Sequence, residues 1–194
     1  MPTATATYDH QDYWERNIEG FGKTYECGSE ESLAAGPLMT RLYKSVIFPI
    51  ERRVNLKRFE VVSDILDSID LAGKTVMDLG CGTGVYTAEL LRRGAARVIS
   101  VDYSENALAL TAERISKTMP GRAGDNSLML LDATVESLPR ADIVLAIGVT
   151  PYVADIEGFL DNVLANTGVL YCLFLDERHP FNLLRRAFPV LNVR

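Results

Sequence analysis

"VMDLGCGTGVYT", residues 76–87, places Gly80, Gly82 and Gly84 at every second position, directly behind Asp78. Each glycine loses more backbone freedom on folding than any other residue. Three in five positions therefore mark a backbone that needs positive φ or that lies close against something. The residues before the loop are apolar, and "VYTAELLRRG" after it has helical spacing and a glycine stop. The stretch reads as strand, glycine loop, helix.

The same rhythm continues on both sides. Upstream, "PIERRVNLKRFEVVSDILDSI" carries Val54, Phe59, Val62, Leu66 and Ile69 at helical spacing, which predicts a helix of roughly 18 residues with Gly73 ending the connection. Downstream, "ARVISVD", "LMLLDA", "ADIVLAIGV" and "GVLYCLFL" are short apolar runs. Between them lie "SENALALTAERISKTM", opened by the N-cap Ser104, the loop "PGRAGDNS", and the helical "DIEGFLDNVLAN". Short continuous strands alternating with amphipathic helices predict βαβ units and a doubly wound, mostly parallel sheet covered on both faces. The crossovers should be right-handed.

Composition narrows the class. A chain of 194 residues, 47% hydrophobic and 24% charged, suits one domain with a small appendage. With 20 basic and 26 acidic residues the net charge is −6, a poor match for a polyanion, so no nucleic-acid partner is expected. No apolar run approaches the roughly 18 residues of a membrane span. The start "MPTATATYDHQ" lacks the basic and apolar regions of a signal peptide. Cys27, Cys81 and Cys172 are far apart and odd in number, which predicts reduced thiols and a cytoplasmic protein. His10 and His179 are too scattered for a histidine-based metal site, and no metal is expected.

Three ligand classes use a glycine loop at the end of a first strand. A dinucleotide calls for G-x-G-x-x-G. From Gly80 the pattern is G-x-G-x-G, and from Gly82 the third position falls on Thr87. Asp78 would also face two phosphates. A P-loop needs G-K-[ST], which is absent. The third class presents a cation at this point.

The pattern D-x-G-x-G-x-G resembles motif I of the class I S-adenosylmethionine-dependent methyltransferases. The resemblance covers roughly residues 74–150. Asp102, eighteen residues after Gly84 in "VISVDYS", is placed to bind both ribose hydroxyls. Asp132, thirty residues further in "LMLLDAT", matches the family position that meets the adenine amino group, with the Ala133 N–H on a ring nitrogen. "ADIVLAIGV" resembles the fourth-strand motif, whose end at Ile147 faces the methionine part and the acceptor. The resemblance implies S-adenosyl-L-methionine as cofactor, leaving as S-adenosyl-L-homocysteine. The expected binding set is Asp78, Gly80, Cys81, Gly82, Gly84, Asp102, Tyr103, Asp132, Ala133 and Ile147. Asp78 would lie near the amino-acid end. The sulfonium and ammonium make an acid beside the loop favourable, since no phosphate needs neutralising.

Other residues have two readings. Cys81 is a small spacer rather than a nucleophile. Tyr103 either lies on the adenine face or is a surface tyrosine. Tyr13 and Trp14 either close over the cofactor or pack on the core helix. His179, in "DERHPF", is the weak candidate for a general base, against an ordinary loop histidine. Val149 and Tyr152 are expected to line an acceptor pocket.

The family fold continues with two more strands after the fifth, and only about 19 residues follow the fifth run here. The expected architecture is thus a Rossmann-like sheet lacking the last two strands. It divides into an N-terminal tail and helical cap, residues 1–50, and a C-terminally truncated methyltransferase domain, residues 51–194. The apolar fifth strand would be an exposed edge. A removed tail, a partner such as a second copy, or a naturally short form would each account for it. The expected function is methyl transfer to a small-molecule, sugar-linked or lipid-linked acceptor at oxygen or nitrogen. The alternatives are a protein or RNA acceptor, a nucleoside-binding protein without activity, and, more remotely, a nicotinamide dehydrogenase.

Overall fold

A computed structural model describes residues 48–174 together with Glu15, Ile18 and Ser45. Helix α1 runs Phe48–Asp67 and starts three residues ahead of the boundary expected at residue 51. Val62 and Leu66 recur on its inner face and are buried. Gly73, at φ 71°, turns the chain into β1, Thr75–Leu79. The glycine loop then opens α2, Val85–Arg92. Strand β2 (Arg97–Asp102), helix α3 (Glu105–Thr118) and strand β3 (Asn126–Leu130) follow. Strand β4 (Ala141–Ala146), helix α4 (Ile156–Leu164) and strand β5 (Thr167–Cys172) complete the described chain. Ser104 caps α3 by accepting the Ala107 N–H, as its position in the sequence predicts.

The five strands are all parallel, in the order β3-β2-β1-β4-β5. The chain winds outward from β1 through β2 to β3, then returns to the other side of β1 for β4 and β5. Strand order therefore reverses between β1 and β4, and a crevice opens there at the carboxyl ends of the strands. The Thr75 N–H donates to Asp142 Oδ2 at 2.8 Å and ties the start of β1 to a residue 67 positions later.

Alternation along β1 splits the core in two. Val76 joins Val62, Leu66, Leu90, Leu91, Val98 and Ile115 under α1, α2 and α3. Met77 and Leu79 join Val101, Val144, Phe159 and Val163 under α4. Strands buried on both faces are the reason these runs are continuously apolar rather than alternating.

One boundary differs from the sequence reading. "PGRAGDNS" reads as loop, but Pro120–Asp125 coils into a 3₁₀ turn, and Asn126 and Ser127 already belong to β3. The turn is pinned where Arg122 Nη1 and Nη2 donate to the Leu91 and Ala95 carbonyls. The polar start of β3 is satisfied inside the sheet, because Asn126 Oδ1 accepts from Ser100 Oγ at 2.8 Å. Edge strand β3 exposes Leu128 and Leu130, and β5, the other edge among the described residues, exposes Val169. Among the described residues no helix is long and apolar enough to cross a membrane.

Candidate functional site

The three loop glycines each face a different neighbour. Gly80, Gly82 and Gly84 have φ of 72°, 55° and 72°, the left-handed region that side chains disfavour. A methyl built on Gly80 would meet Val149 Cγ2 at 2.5 Å. One on Gly84 would meet the Thr111 Cα at 2.9 Å, and one on Gly82 would touch Ile18 Cδ1 at 3.4 Å. The loop is thus packed against the end of β4, against α3 and against the N-terminal segment. Its backbone is equally committed. The Gly80 and Cys81 N–H groups donate to the Val101 carbonyl at 2.8 and 3.0 Å. Thr111 Oγ1 donates to Gly82 O at 3.0 Å, and Arg114 Nε to Thr83 O at 2.6 Å. Helix α2 begins right after Gly84 without a side-chain cap, so its first N–H groups and positive dipole end face the loop.

Asp102 ends β2 beneath this loop. Its Oδ2 accepts from Gly82 N at 2.9 Å and its Oδ1 from Ser104 N at 3.0 Å. Each oxygen keeps a lone pair for a further donor. Burial pushes this carboxyl above the usual range, while the N–H groups of Gly82, Ser104 and Tyr103 hold it back. Tyr103 lies beside it, half-buried.

The N-terminal segment reaches the same spot through Glu15. Its Oε1 accepts from Asn106 N at 3.0 Å, its Oε2 accepts from Ser104 Oγ, and its carbonyl accepts from Asn106 Nδ2 at 3.0 Å. An acid at the start of α3 complements the helix dipole. Nothing in the local pattern around Glu15 or Ile18 announces these contacts, and sequence reasoning missed both. Tyr13, Trp14 and His179 lie outside the described residues.

Asp78 points away from the loop, into the core beneath α2. Its Oδ2 accepts from Thr87 Oγ1 at 2.6 Å, Thr87 Oγ1 meets Ser100 Oγ at 2.9 Å, and Ser100 Oγ meets Asn126 Oδ1 at 2.8 Å. Burial pushes the Asp78 pKa up to about 7, with the Thr87 bond opposing and the Asp102 charge adding.

The remaining expected residues divide. The Cys81 thiol is buried and accepts from Thr111 Oγ1 at 3.5 Å. Burial, Asp78 and Asp102 push it well above the ordinary thiol range, which leaves it un-ionised. Asp132 follows β3 and spends one carboxylate oxygen on its own turn, accepting from Thr134 N at 2.9 Å and Thr134 Oγ1 at 2.7 Å. Ala133 is buried, and its carbonyl accepts from Asn162 Nδ2. Ile147 is partly buried against the α1–α2 side of the core. Val149 lies on Gly80, and Tyr152 sits in a 3₁₀ turn, Thr150–Tyr152, anchored where Thr150 Oγ1 donates to Leu173 O. Among the described residues no cluster of His, Cys, Asp and Glu could hold a metal. An open depression of about 500 Å³ lies at the opposite end of the sheet, lined by Thr75, Arg140, Asp142 and Asn166 among others, and contains none of these residues.

Residues 77–170 match the family model described as a methyltransferase domain. A ribosomal protein L11 methyltransferase of Aliivibrio salmonicida is 41% identical over 81 residues, which is 42% of this chain and 26% of that protein. A probable ribosomal RNA small subunit methyltransferase A of Methanospirillum hungatei is 40% identical over 88 residues, 44% of this chain and 32% of that one. The chain thus spans only about a quarter to a third of these curated relatives. In fold, it is similar to magnesium protoporphyrin IX methyltransferase from Synechocystis with bound S-adenosylhomocysteine. That match has a TM-score of 0.69 at 16% identity and covers 93% of this chain and 77% of that one.

Proposed function

We propose, from a chain that carries a class I S-adenosylmethionine-dependent methyltransferase domain, that it moves the sulfonium methyl of S-adenosylmethionine to a small-molecule, sugar-linked or lipid-linked acceptor at oxygen or nitrogen. The cofactor supplies the reactive carbon. The protein's part is to hold donor and acceptor in line and to exclude water. Asp102 takes the ribose hydroxyls, and Gly80, Gly82 and Gly84 let the cofactor lie against the backbone. Asp132 and Ala133 meet the adenine, with Tyr103 beside it. Asp78 and Cys81 act from behind, shaping the loop rather than touching the ligand. Ile147 and Val149 border the methyl and acceptor end. Glu15 and Ile18 bring the N-terminal segment against the start of α3 and the glycine loop.

The observation that carries this reading is the Asp102 carboxylate, oriented by two backbone N–H groups directly under the glycine loop at the point where strand order reverses. The test is calorimetry with S-adenosylhomocysteine on the chain and on Asp102→Ala. Micromolar binding that falls by about 100-fold in the variant supports it. Tight binding unaffected by the variant would place the ribose elsewhere.

A second reading keeps the cofactor and changes the acceptor to protein or RNA. The names of the curated relatives favour it, and the net charge of −6 disfavours the RNA half. Transfer of labelled methyl to extract fractions, with and without protease or ribonuclease, separates the acceptors. Cofactor uptake without transfer to any fraction would indicate a nucleoside binder.

A further inference from the structure

Asp102 is oriented by two backbone donors, and neither belongs to its own strand. Gly82 N, in the glycine loop, donates to Oδ2 at 2.9 Å, and Ser104 N, at the cap of α3, donates to Oδ1 at 3.0 Å. Both donors lie in short connections, outside any strand or helix.

Each is backed by one residue of the N-terminal segment. Glu15 stands behind Ser104. Its Oε2 accepts from Ser104 Oγ, its Oε1 from Asn106 N at 3.0 Å, and its carbonyl from Asn106 Nδ2 at 3.0 Å. The Ser104 hydroxyl has one hydrogen. Giving it to Glu15 leaves the lone pairs for Ala107 N, which donates to Ser104 Oγ at 3.1 Å. Two orphan N–H groups of α3 are thus capped together, one by Ser104 and one by Glu15. The dipole of this 14-residue helix favours the acid. Ile18 stands behind Gly82. It is 7% exposed, and a methyl built on Gly82 would touch its Cδ1 at 3.4 Å. Glu15 and Ile18 are both helical and three positions apart, which puts them on one face. Helix α3 also holds the loop, through Thr111 Oγ1 on Gly82 O and Arg114 Nε on Thr83 O. Loop, Asp102 and the start of α3 form one platform, and the N-terminal segment meets it at both donors.

Resting on the cofactor reading above, we propose that Glu15 and Ile18 are positioning residues for the nucleoside: by fixing Ser104 and Gly82 they hold Asp102 in the orientation that takes the ribose hydroxyls. Neither touches the ligand. Ribose recognition needs both carboxylate oxygens in place at once, and a shift of about 0.5 Å in either donor is enough to turn the carboxylate away.

The test is S-adenosylhomocysteine calorimetry on the full chain, at a temperature where thermal melts show each variant folded. Glu15→Ala and Ile18→Ala should each weaken binding by about 5- to 10-fold, and Glu15→Gln and Ile18→Val by about 3-fold. The decisive readout is the same substitution in an Asp102→Ala background. There Glu15→Ala and Ile18→Ala should cost nothing further, because the carboxylate that they position is gone. A segment that only supports the fold, or that touches the ligand itself, would lose the same factor in both backgrounds and overturn the proposal. Where an alanine variant does not fold, Glu15→Gln and Ile18→Val carry the same cycle. Asp102→Ala losing about 100-fold while the Glu15 and Ile18 variants bind like the wild type overturns the positioning and spares the cofactor reading. A folded wild-type chain that does not bind overturns both.

Discussion

The tips of β1 and β2 and the tip of β3 each carry an aspartate, and the three are treated differently. Asp78 and Asp102 are buried and held, the first by a chain of hydroxyls and the second by two backbone N–H groups. Asp132 stands in a turn and bonds mainly to Thr134 beside it. Asp78 is held by Thr87 on α2, and Asp102 by Gly82 of the glycine loop as well as by Ser104 two residues on. The third is held only by its own turn. The rigid acids and the locally held one lie on the same side of the crevice, β3 being one strand further out than β2; on the proposed cofactor reading the ribose meets the rigid acid Asp102 and the base meets the more adaptable Asp132.

The largest expected effect tests the Asp78 lock through pH. Below about pH 4 this carboxyl is neutral whether the chain is folded or not. Between about 4 and 7 the unfolded chain ionises it while the folded chain keeps its proton. Stability should therefore fall by about 1.4 kcal/mol per pH unit over that window, about 4 kcal/mol in all, and level off above it. Asp78→Asn removes this contribution, so the variant should gain on the wild type as pH rises from 5 to 8 in guanidinium melts. Parallel stability profiles for the two chains would mean that Asp78 is ionised in the fold.

Next in size is Gly84→Ala. It combines a left-handed φ with a backbone approach of 2.9 Å at Thr111, and should cost about 3 kcal/mol, or roughly 6–12 °C in Tm. Gly121→Ala, where nothing lies within 4 Å, should change stability by no more than about 0.5 kcal/mol. A calorimetric scan showing equal losses would dissolve the distinction between a packed loop and an open turn.

In binding, Asp132→Ala should weaken S-adenosylhomocysteine by less than about 10-fold, against the roughly 100-fold of Asp102→Ala. Equal losses would place the base in a pocket as rigid as the ribose site. The smallest expected effect is at Glu15. Glu15→Gln keeps its shape and loses the charge at the start of α3, a change of about 0.5–1 kcal/mol in thermal unfolding. A loss several times larger would show that the N-terminal segment is part of the platform itself.

The platform was readable because its signals are local. Strand runs, glycine spacing, the Ser104 cap and an acid at the end of each of the first three strands are signals carried by a few neighbouring residues each. Asp102 stands at the end of β2, as the sequence reading puts it, and its contact with Gly82 is what the structure adds. What escaped reading was tertiary. Asn126 and Ser127 look like loop residues, and only the carbonyls and hydroxyls of β2 make them a strand. Glu15 and Ile18 carry no periodic signal, and each acquires a role from a neighbour at least 60 positions away. Asp78 was expected toward the ligand. Period-two alternation puts it on the face of Val76 instead, under α2.

The strand order also arranges events in time. Residue Thr75 finds Arg97 on β2 after 22 positions, but its partner Asp142 on the β4 side only after 67. Closing the longer loop costs about 1 kcal/mol more in chain entropy. The β1–β2 pair, with its glycine turn and its buried acids, is therefore expected to form first during folding. The wall that turns it into a crevice arrives only when β4 docks. During synthesis on the ribosome, the nascent chain would acquire Asp102 and the glycine loop early, and the crevice beside them only once β4 has emerged.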